Sequence, residues 1–314
     1  MADEIRNVVV TRRRDEARGV VSLELGDATG AALPHWTPGS HIDLILPNGL
    51  TRQYSLCGDR EGDRWMVAVL HEPEGRGGSA WIHDTLQEGD SLQVRGPRNH
   101  FELSKALRYI LVAGGVGITP IVAMVRELES TGIKDWKLVY GGSSRSSMAF
   151  ADELAALGDR VQIVPADEHG LIDIDAALGE PSFGAGIYCC GPEPLLKAVE
   201  RASRSWAPGT LHVERFVAKQ VDTSSDRPFE VEAVRSGLTL TVEAHESILE
   251  ALEAQGVMIT SSCGEGVCGT CETKVLEGAV EHRDALLTES ERESNTVMMV
   301  CCSRARGDRL VLDV

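Results

Sequence analysis

"YILVAGGVGITP", residues 109–120, runs from an apolar strand through a glycine turn into the opening of a helix. The helix continues as "IVAMVRELEST", followed by "WKLVYGG" as strand, "ADELAALG" as helix and "VQIVPAD" as strand. "GIYCCGP" then reads as a further strand and turn before the helix "EPLLKAVERAS". Strands that alternate with helices build a parallel sheet covered on both faces, so residues 105–217 are expected to form a doubly wound α/β domain. Gly114, Gly115 and Gly117 would let a pyrophosphate approach the backbone at a helix N-terminus. Their spacing is not G-x-G-x-x-G, so the common dinucleotide fingerprint is absent. Thr119 and Pro120 open the helix, with Pro where a missing N–H is tolerated. Cys190, Gly191 and Pro192 close a later strand. Ligands of open α/β sheets bind beyond the carboxyl ends of strands, so the two turns are expected to flank one crevice. Nothing in the sequence pairs Cys190 with a His and a carboxylate, which favours a packing or polarisable-contact role over that of a nucleophile.

Toward the N-terminus the texture changes. "VVSLEL", "HIDLILP", "RQYSL", "WMVAVL" and "SLQVRGP" are short, rich in β-branched residues and bounded by Gly, Pro, Asn or Asp. Close spacing without long helices predicts an antiparallel barrel or sandwich over residues 1–104. One helix, "GGSAWIHDTL", is expected to interrupt it, with Ser79 as N-cap. In "RQYSL", Arg52 and Tyr54 share a strand face and Ser55 points the other way. An aromatic can stack on a planar ring, Arg can pair with phosphate, and Ser can hydrogen-bond a ring heteroatom. Gly78 and Ser79 would offer further donors to a terminal phosphate.

On the other side, "AKQVDTSSDRP" (218–228) is polar with a proline and reads as a linker. Residues 229–314 hold the strands "FEVEAVRSG" and "LTLTVEA", the helix "SILEALEAQG", a cysteine turn and the strand "ETKVLEG". The turn, "SSCGEGVCGTC" (261–271), spaces Cys263, Cys268 and Cys271 as C-x4-C-x2-C. Zinc sites favour paired C-x2-C units or added His. This spacing is that of a plant-type [2Fe-2S] cluster, whose fourth Cys lies much later. Gly264, Gly266 and Gly269 would let the backbone fold tightly enough to point N–H groups at sulfur. The fourth ligand is Cys301 or Cys302. Adjacent strand residues face opposite ways, so only one is expected to point at the cluster, and local periodicity does not choose between them.

The whole chain has 314 residues and a formal charge of −17, which argues against nucleic acid as a partner. The N-terminal "MADEIRNVVV" has early acids and no signal-peptide pattern, and no run approaches the roughly 18 apolar residues of a spanning helix. A cytoplasmic location and no membrane partner are expected, and there the eight cysteines fit ligands or free thiols better than disulfides.

Three motifs therefore stand in order: Arg52-x-Tyr54-Ser55, then "GGVGITP" with "CGP", then the cysteine turn. The combination resembles the ferredoxin–NADP reductase superfamily, and more closely the phthalate dioxygenase reductase family, including reductase subunits of vanillate O-demethylases. The resemblance covers essentially the whole chain. It implies an FMN-binding β-barrel, an NADH-binding α/β domain and a C-terminal ferredoxin-like (β-grasp) domain. Arg52, Tyr54, Ser55, Gly78 and Ser79 match the FMN positions. Gly114, Gly115, Gly117, Thr119, Pro120, Cys190, Gly191 and Pro192 match the pyridine-nucleotide positions. "HVERF" matches the end of the second domain, which implies Glu214 and Phe216 near the flavin, Phe216 on the face that nicotinamide must reach. Ser55, Thr119, Cys190, Glu214 and Phe216 are thus the implied catalytic group. The resemblance to plant-type ferredoxin also chooses the fourth ligand. Its third and fourth cysteines are separated by 29 residues, the gap from Cys271 to Cys301.

The activity implied is hydride transfer from NADH to FMN, then single electrons through the cluster to a Rieske-type aromatic oxygenase or demethylase. The phosphate donors alone suit FMN or FAD, and Arg145 with the serines of "GGSSRSS" could accept the extra phosphate of NADPH. A cytochrome P450 as acceptor is the alternative within enzymes. A carrier or sensor using the cluster alone is the alternative outside them, and the two upstream motifs speak against it. Residues 229–314 carry 16 acidic and 7 basic side chains, a net −9, which favours an acidic docking face for a basic partner.

Overall fold

The computed structural model describes residues 4–217 and 221–314. The chain divides after Glu214 into two units. In the first, β1 (Ile5–Ala17), β2 (Val20–Asp27), β3 (Ser40–Ile45), β4 (Thr51–Ser55), β5 (Trp65–Leu70) and β6 (Ser91–Asn99) form one antiparallel sheet. Its order is β4-β3-β6-β1-β2-β5, and a bridge from Leu56 to Val67 draws the two edges together into a barrel. Alternate residues Val8, Val10, Leu23, Leu25, Ile42, Leu44, Val67 and Val94 fill the interior. Strand β1 was not foreseen, because its run of Arg12, Arg13, Arg14 and Asp15 masks the alternation that Val8 and Val10 begin. Helix α1 (Gly78–Asp84) corrects one expectation: its N-cap is Gly77, not Ser79. Gly77 takes φ +80, and Ser79 falls inside the first turn with its hydroxyl turned to the backbone N–H of Glu72 at 3.0 Å.

The second sheet holds β7 (Arg108–Gly114), β8 (Trp136–Gly142), β9 (Val161–Pro165), β10 (Ala185–Cys190) and β11 (Leu211–Glu214), all parallel in the order β11-β10-β7-β8-β9. Helices α2 (Ile118–Ser130) and α3 (Ala151–Ala155) pack with Leu111 and Tyr140 on one face. The short α4 (Ala166–His169) follows β9, and α5 (Ile174–Leu178) and α6 (Glu193–Ala202) pack with Ile110 and Ile187 on the other face. This is the doubly wound arrangement, and its strand order reverses between β7 and β10. Barrel and α/β sheet share a core: Val20, Cys57, Ala68 and Phe101 join the cluster built around Leu111 and Ile118. Arg126 of α2 donates to the carbonyl of Cys57 and pairs with Glu153 at 2.8 Å.

In the second unit, β12 (Phe229–Ala233), β13 (Leu238–Val242), β14 (Glu272–Glu277), β16 (Val297–Met299) and β18 (Arg309–Leu312) form a sheet in the order β13-β12-β18-β14-β16. Strands β12 and β18 are its parallel pair, as a β-grasp requires. The short strands β15 (Val280–Glu281) and β17 (Arg304–Ala305) pair separately. Helix α7 (Ile248–Ala254) starts at a capping box of Ser247 and Glu250 and buries Ile248 and Leu252 against Phe229, Val231 and Leu310. Helix α8 (Glu289–Ser294) is capped likewise by Thr288 and Glu291. Of the stretch read as a linker, residues 218–220 lie outside the described residues. Its end is tied down: half-buried Asp226 accepts from Arg283 at 2.8 and 2.5 Å, and that pairing holds its carboxyl below the ordinary value.

Candidate functional site

The two glycine turns meet where the strand order reverses. Strands β7 and β10 are neighbours, with Ala113 opposite Cys190. The chain leaves β7 at Gly114, makes one 3-10 turn over Gly115–Gly117 and enters α2. Gly115 has φ +55, a left-handed conformation that disfavours a side chain. Gly117 is required for space: a Cβ there would stand 2.4 Å from Cys190 O and 2.6 Å from Gly191 N. A Cβ on Gly114 would stand 2.7 Å from Pro192 Cδ. The turns are thus packed nearly backbone to backbone, and no side chain caps the start of α2. Thr119 is buried in its first turn and donates to Val116 O at 3.0 Å; Pro120 is buried beside it. The Ile118 N–H is already given to Gly115 O and Pro120 has no N–H, so an anion here would meet the N–H groups of the glycine turn that leads into α2.

Cys190 is fully buried. Burial first, then the neighbouring Glu214 carboxyl, push its thiol well above the ordinary value, so it is a neutral contact and not a nucleophile. Glu214 sits opposite Cys190 across β10 and β11. Its Oε2 is buried without a hydrogen-bond partner among the described residues, and burial pushes its carboxyl up to about 8. Phe216 lies in the second unit and is exposed. In the loop after β8, Arg145 is paired with Asp152 at 2.5 Å. Ser143 and Ser147 hydroxyls bond each other at 2.9 Å, and those of Ser144 and Ser146 do so at 3.1 Å.

On β4, Arg52 stands opposite Leu44, Tyr54 opposite Ile42, and Ser55 opposite His41. Arg52 donates to Thr51 O at 2.8 Å and to Arg76 O at 2.9 Å, which lays its stem across the start of α1. Gly78 makes room for it: a Cβ there would stand 2.6 Å from Arg52 Cγ. Tyr54 packs beside the barrel core, and burial raises its hydroxyl pKa. Ser55 is 4% exposed, yet its Oγ has no hydrogen-bond partner among the described residues. An arginine held over a glycine at a helix start and an orphan hydroxyl on the residue after Tyr54 fit a flavin mononucleotide.

In the second unit, Cys263, Cys268, Cys271 and Cys301 are all buried. Their thiols neighbour one another in the order Cys268, Cys263, Cys301, Cys271. Among the described residues no three His, Cys, Asp or Glu side chains meet at a point suited to a single metal ion. Two pairs of thiols, Cys263 with Cys268 and Cys271 with Cys301, suit the two irons of a [2Fe-2S] core instead. Gly264, Gly266 and Gly269 take φ +68, +71 and +74, the left-handed turns that curl this loop. The curl aims the N–H groups of Glu265 and Val267 at Cys263 Sγ, at 3.3 and 3.4 Å. Contacts from the thiols of Cys268 and Cys301, then these two N–H groups, hold the Cys263 pKa below the ordinary value. The donor set and its backbone N–H groups fit the cluster.

Two features here escaped the sequence. Cys301 and Cys302 lie in a turn after β16, not on a strand; Cys302 and Ser303 both donate N–H to Met299 O, at 3.3 and 3.0 Å. The alternation argument between them therefore does not apply. Beneath the loop lies fully buried Asp284, which accepts from the N–H groups of Leu286 and Leu287 at 3.0 and 2.8 Å. The next residue, Ala285, donates to Gly266 O at 2.9 Å. No short-range signal marked it, since Asp284 follows two other polar residues, His282 and Arg283.

Crevice and thiol loop together define a pyridine-nucleotide-linked iron–sulfur oxidoreductase. Residues 111–201 match the oxidoreductase NAD-binding domain, and residues 231–306 match the 2Fe-2S iron-sulfur cluster binding domain. The chain is 45% identical to a putative toluene-4-sulfonate monooxygenase system reductase subunit of Comamonas testosteroni, over 98% of both chains. It is 37% identical to phthalate dioxygenase reductase, whose solved structure is described as modular for electron transfer from pyridine nucleotides to [2Fe-2S]; the TM-score is 0.71 over 99% of this chain and 98% of that one. It is also similar to an intact type IV self-sufficient cytochrome P450 monooxygenase, at 44% identity and a TM-score of 0.92, where it spans 41% of the longer chain. The protein belongs to the phthalate dioxygenase reductase family.

Proposed function

We propose that this chain is the reductase component of a multicomponent oxygenase, taking hydride from NADH and delivering single electrons to a Rieske-type aromatic oxygenase or demethylase. One observation carries the reading: a single chain joins a nucleotide crevice, where Gly117 packs on Cys190 and Gly191, to a loop of four buried thiols. When bound, FMN takes up two electrons as hydride and releases them singly to the cluster, which carries one at a time. Arg52 and Gly78, with the backbone at Ser79, hold the FMN phosphate; Tyr54 flanks the ring, and the Ser55 hydroxyl supplies its missing hydrogen bond to a ring heteroatom. Gly114, Gly115 and Gly117 admit the NADH pyrophosphate to the start of α2. Thr119, Pro120, Cys190, Gly191 and Pro192 wall the crevice, and Glu214 presents a proton-bearing carboxyl there. Cys263, Cys268, Cys271 and Cys301 ligate the irons.

The Arg145–Asp152 pair occupies the cation that a 2′-phosphate would need, which favours NADH over NADPH. No helix among the described residues is long and apolar enough to cross a membrane. Reliance on NADH and eight cysteines with no disulfide among the described residues support a cytoplasmic location. A second reading, with a cytochrome P450 as acceptor, is favoured by the likeness to the self-sufficient P450 chain. One experiment separates them: NADH-driven reduction of a purified Rieske oxygenase and of a purified P450. Faster transfer to the P450 overturns the first reading, and no flavin-dependent NADH oxidation overturns both.

A further inference from the structure

Gly266, at the middle of the thiol loop, is gripped from beneath. Ala285 N–H donates to Gly266 O at 2.9 Å, and a Cβ on Gly266 would stand 3.0 Å from Asp284 Cα and 2.5 Å from Cys302 Sγ. A trans peptide points its C=O and its N–H to opposite sides. The bond at Gly266 O therefore turns the N–H of Val267, which shares that trans peptide, the other way, and Cys263 Sγ accepts it at 3.4 Å. Glu265 N–H, on the other side of Gly266, reaches the same sulfur at 3.3 Å. One side chain shapes the segment that presents Ala285. Asp284 Oδ2 accepts from the N–H groups of Leu286 and Leu287 at 3.0 and 2.8 Å, which folds the chain tightly around Ala285. Arg292 donates to Asp284 O at 3.0 Å, and Leu287 is buried in the core of this unit. Asp284 is fully buried, and its Oδ1 has no hydrogen-bond partner among the described residues. A carboxylate is costly in such a place, so what it holds is the reason to look at it. Hydrogen bonds to ligating sulfur oppose the negative charge added on reduction, and so favour the reduced cluster.

We propose that Asp284 is a positioning residue for electron transfer: its carboxylate shapes the turn that sets Ala285 N–H on Gly266 O, and thereby keeps the Val267 N–H on Cys263 Sγ and raises the reduction potential of the cluster. The inference rests on the reading that Cys263, Cys268, Cys271 and Cys301 hold a [2Fe-2S] cluster. Charge and positioning act in opposite directions here, which makes them separable. The negative charge of Asp284 by itself disfavours adding an electron nearby, whereas the turn it holds favours it. Asn keeps an oxygen acceptor for Leu286 and Leu287 and loses the charge; Ala loses both.

The test is a potentiometric titration of the intact, loaded protein, read by the electron paramagnetic resonance of the reduced cluster. Asp284→Asn should lie at or above the potential of the unsubstituted protein. Asp284→Ala, equally uncharged, should lie below Asp284→Asn, its reduction equilibrium shifted by up to tenfold, about 59 mV for one electron. Asp284→Ser keeps one acceptor on a shorter arm and should fall between them. If Ala does not load, Ser below Asn supports the proposal and Ser equal to Asn overturns it. Equal potentials in Asn and Ala would show that charge alone acts, and would overturn the proposal. So would an Asn variant that falls below the unsubstituted protein or loses the cluster, since Asn keeps every hydrogen bond the proposal uses. The unsubstituted protein reduced with dithionite is the control. Without the signal of a reduced [2Fe-2S] cluster there, the reading of the four thiols fails; a normal signal with equal potentials in Asn and Ala removes only the role of Asp284.

Discussion

Gly117 offers the sharpest test of the crevice. Adding one carbon there places a Cβ 2.4 Å from Cys190 O and 2.5 Å from Cys190 C, about 1 Å inside ordinary contact. The obstructing atoms are backbone of a buried strand, so relief requires the two glycine turns to separate. Overpacking of this kind costs about 1–3 kcal/mol, and the upper end applies because no flexible side chain can yield. For a unit of this size that corresponds to a fall in unfolding temperature of roughly 6–12 °C. Gly115 is the control. Its Cβ would meet nothing within 4 Å, so Gly115→Ala carries only left-handed strain of about 1–2 kcal/mol. Function should separate the two variants further. A 1 Å displacement of a positioning element can cost about 100-fold, so Gly117→Ala should lose kcat/KM for NADH by about that factor with ferricyanide as acceptor. Gly115→Ala should lose less stability, and any loss of kcat/KM there would report the pyrophosphate approach and not the packing of the two turns. If Gly117→Ala matches the unsubstituted protein in stability and kcat/KM at equal flavin loading, the packed-turn crevice is wrong.

Three further outcomes follow from the geometry. The Glu214 carboxyl is raised from 4.5 to about 8, so between those values the folded chain keeps a proton that the unfolded chain has released. Stability should be full below about pH 4.5 on this account and decline as pH rises toward 8; Glu214→Gln should flatten the decline in unfolding midpoint, and an unchanged profile would count against the buried carboxyl. Arg52→Ala should release most of the FMN on gel filtration while iron content stays constant, whereas Ser55→Ala should retain FMN and slow its reduction by NADH in stopped flow. Finally, the net −9 of residues 229–314 predicts that the second-order rate of electron delivery to the cognate oxygenase falls steeply with salt, while NADH–ferricyanide turnover changes little; a flat salt profile removes the acidic docking face.

Much of this was written in short-range signals. "GGVGITP" and "CGP" could be read because glycine is demanded locally, by φ at Gly115 and by contact at Gly117. The apolar runs flanking them fixed strand and helix alternation without reference to anything distant. The thiol loop was legible for the same reason, its three left-handed glycines being spelled out between its cysteines. Strand β1 was hidden because charged side chains on an outer barrel face break no packing rule. Helix α8 was missed although Thr288 and Glu291 spell a capping box, since its six residues carry no apolar stripe. Ser79 shows the limit of reading caps locally: a left-handed Gly77 starts the helix earlier and frees the hydroxyl for Glu72. Cys302 and Asp284 are long-range features. They meet Gly266 only through the fold, so no spacing rule could announce them.

The central claim is that electrons enter as hydride at the crevice and leave through the four thiols. Anaerobic addition of NADH to the purified, loaded protein tests it most directly, with flavin followed by absorbance and the cluster by electron paramagnetic resonance. The account predicts flavin bleaching together with the signal of a reduced [2Fe-2S] cluster, the second being lost in Cys301→Ser while bleaching persists. A cluster that stays oxidised under NADH and responds only to dithionite would contradict it.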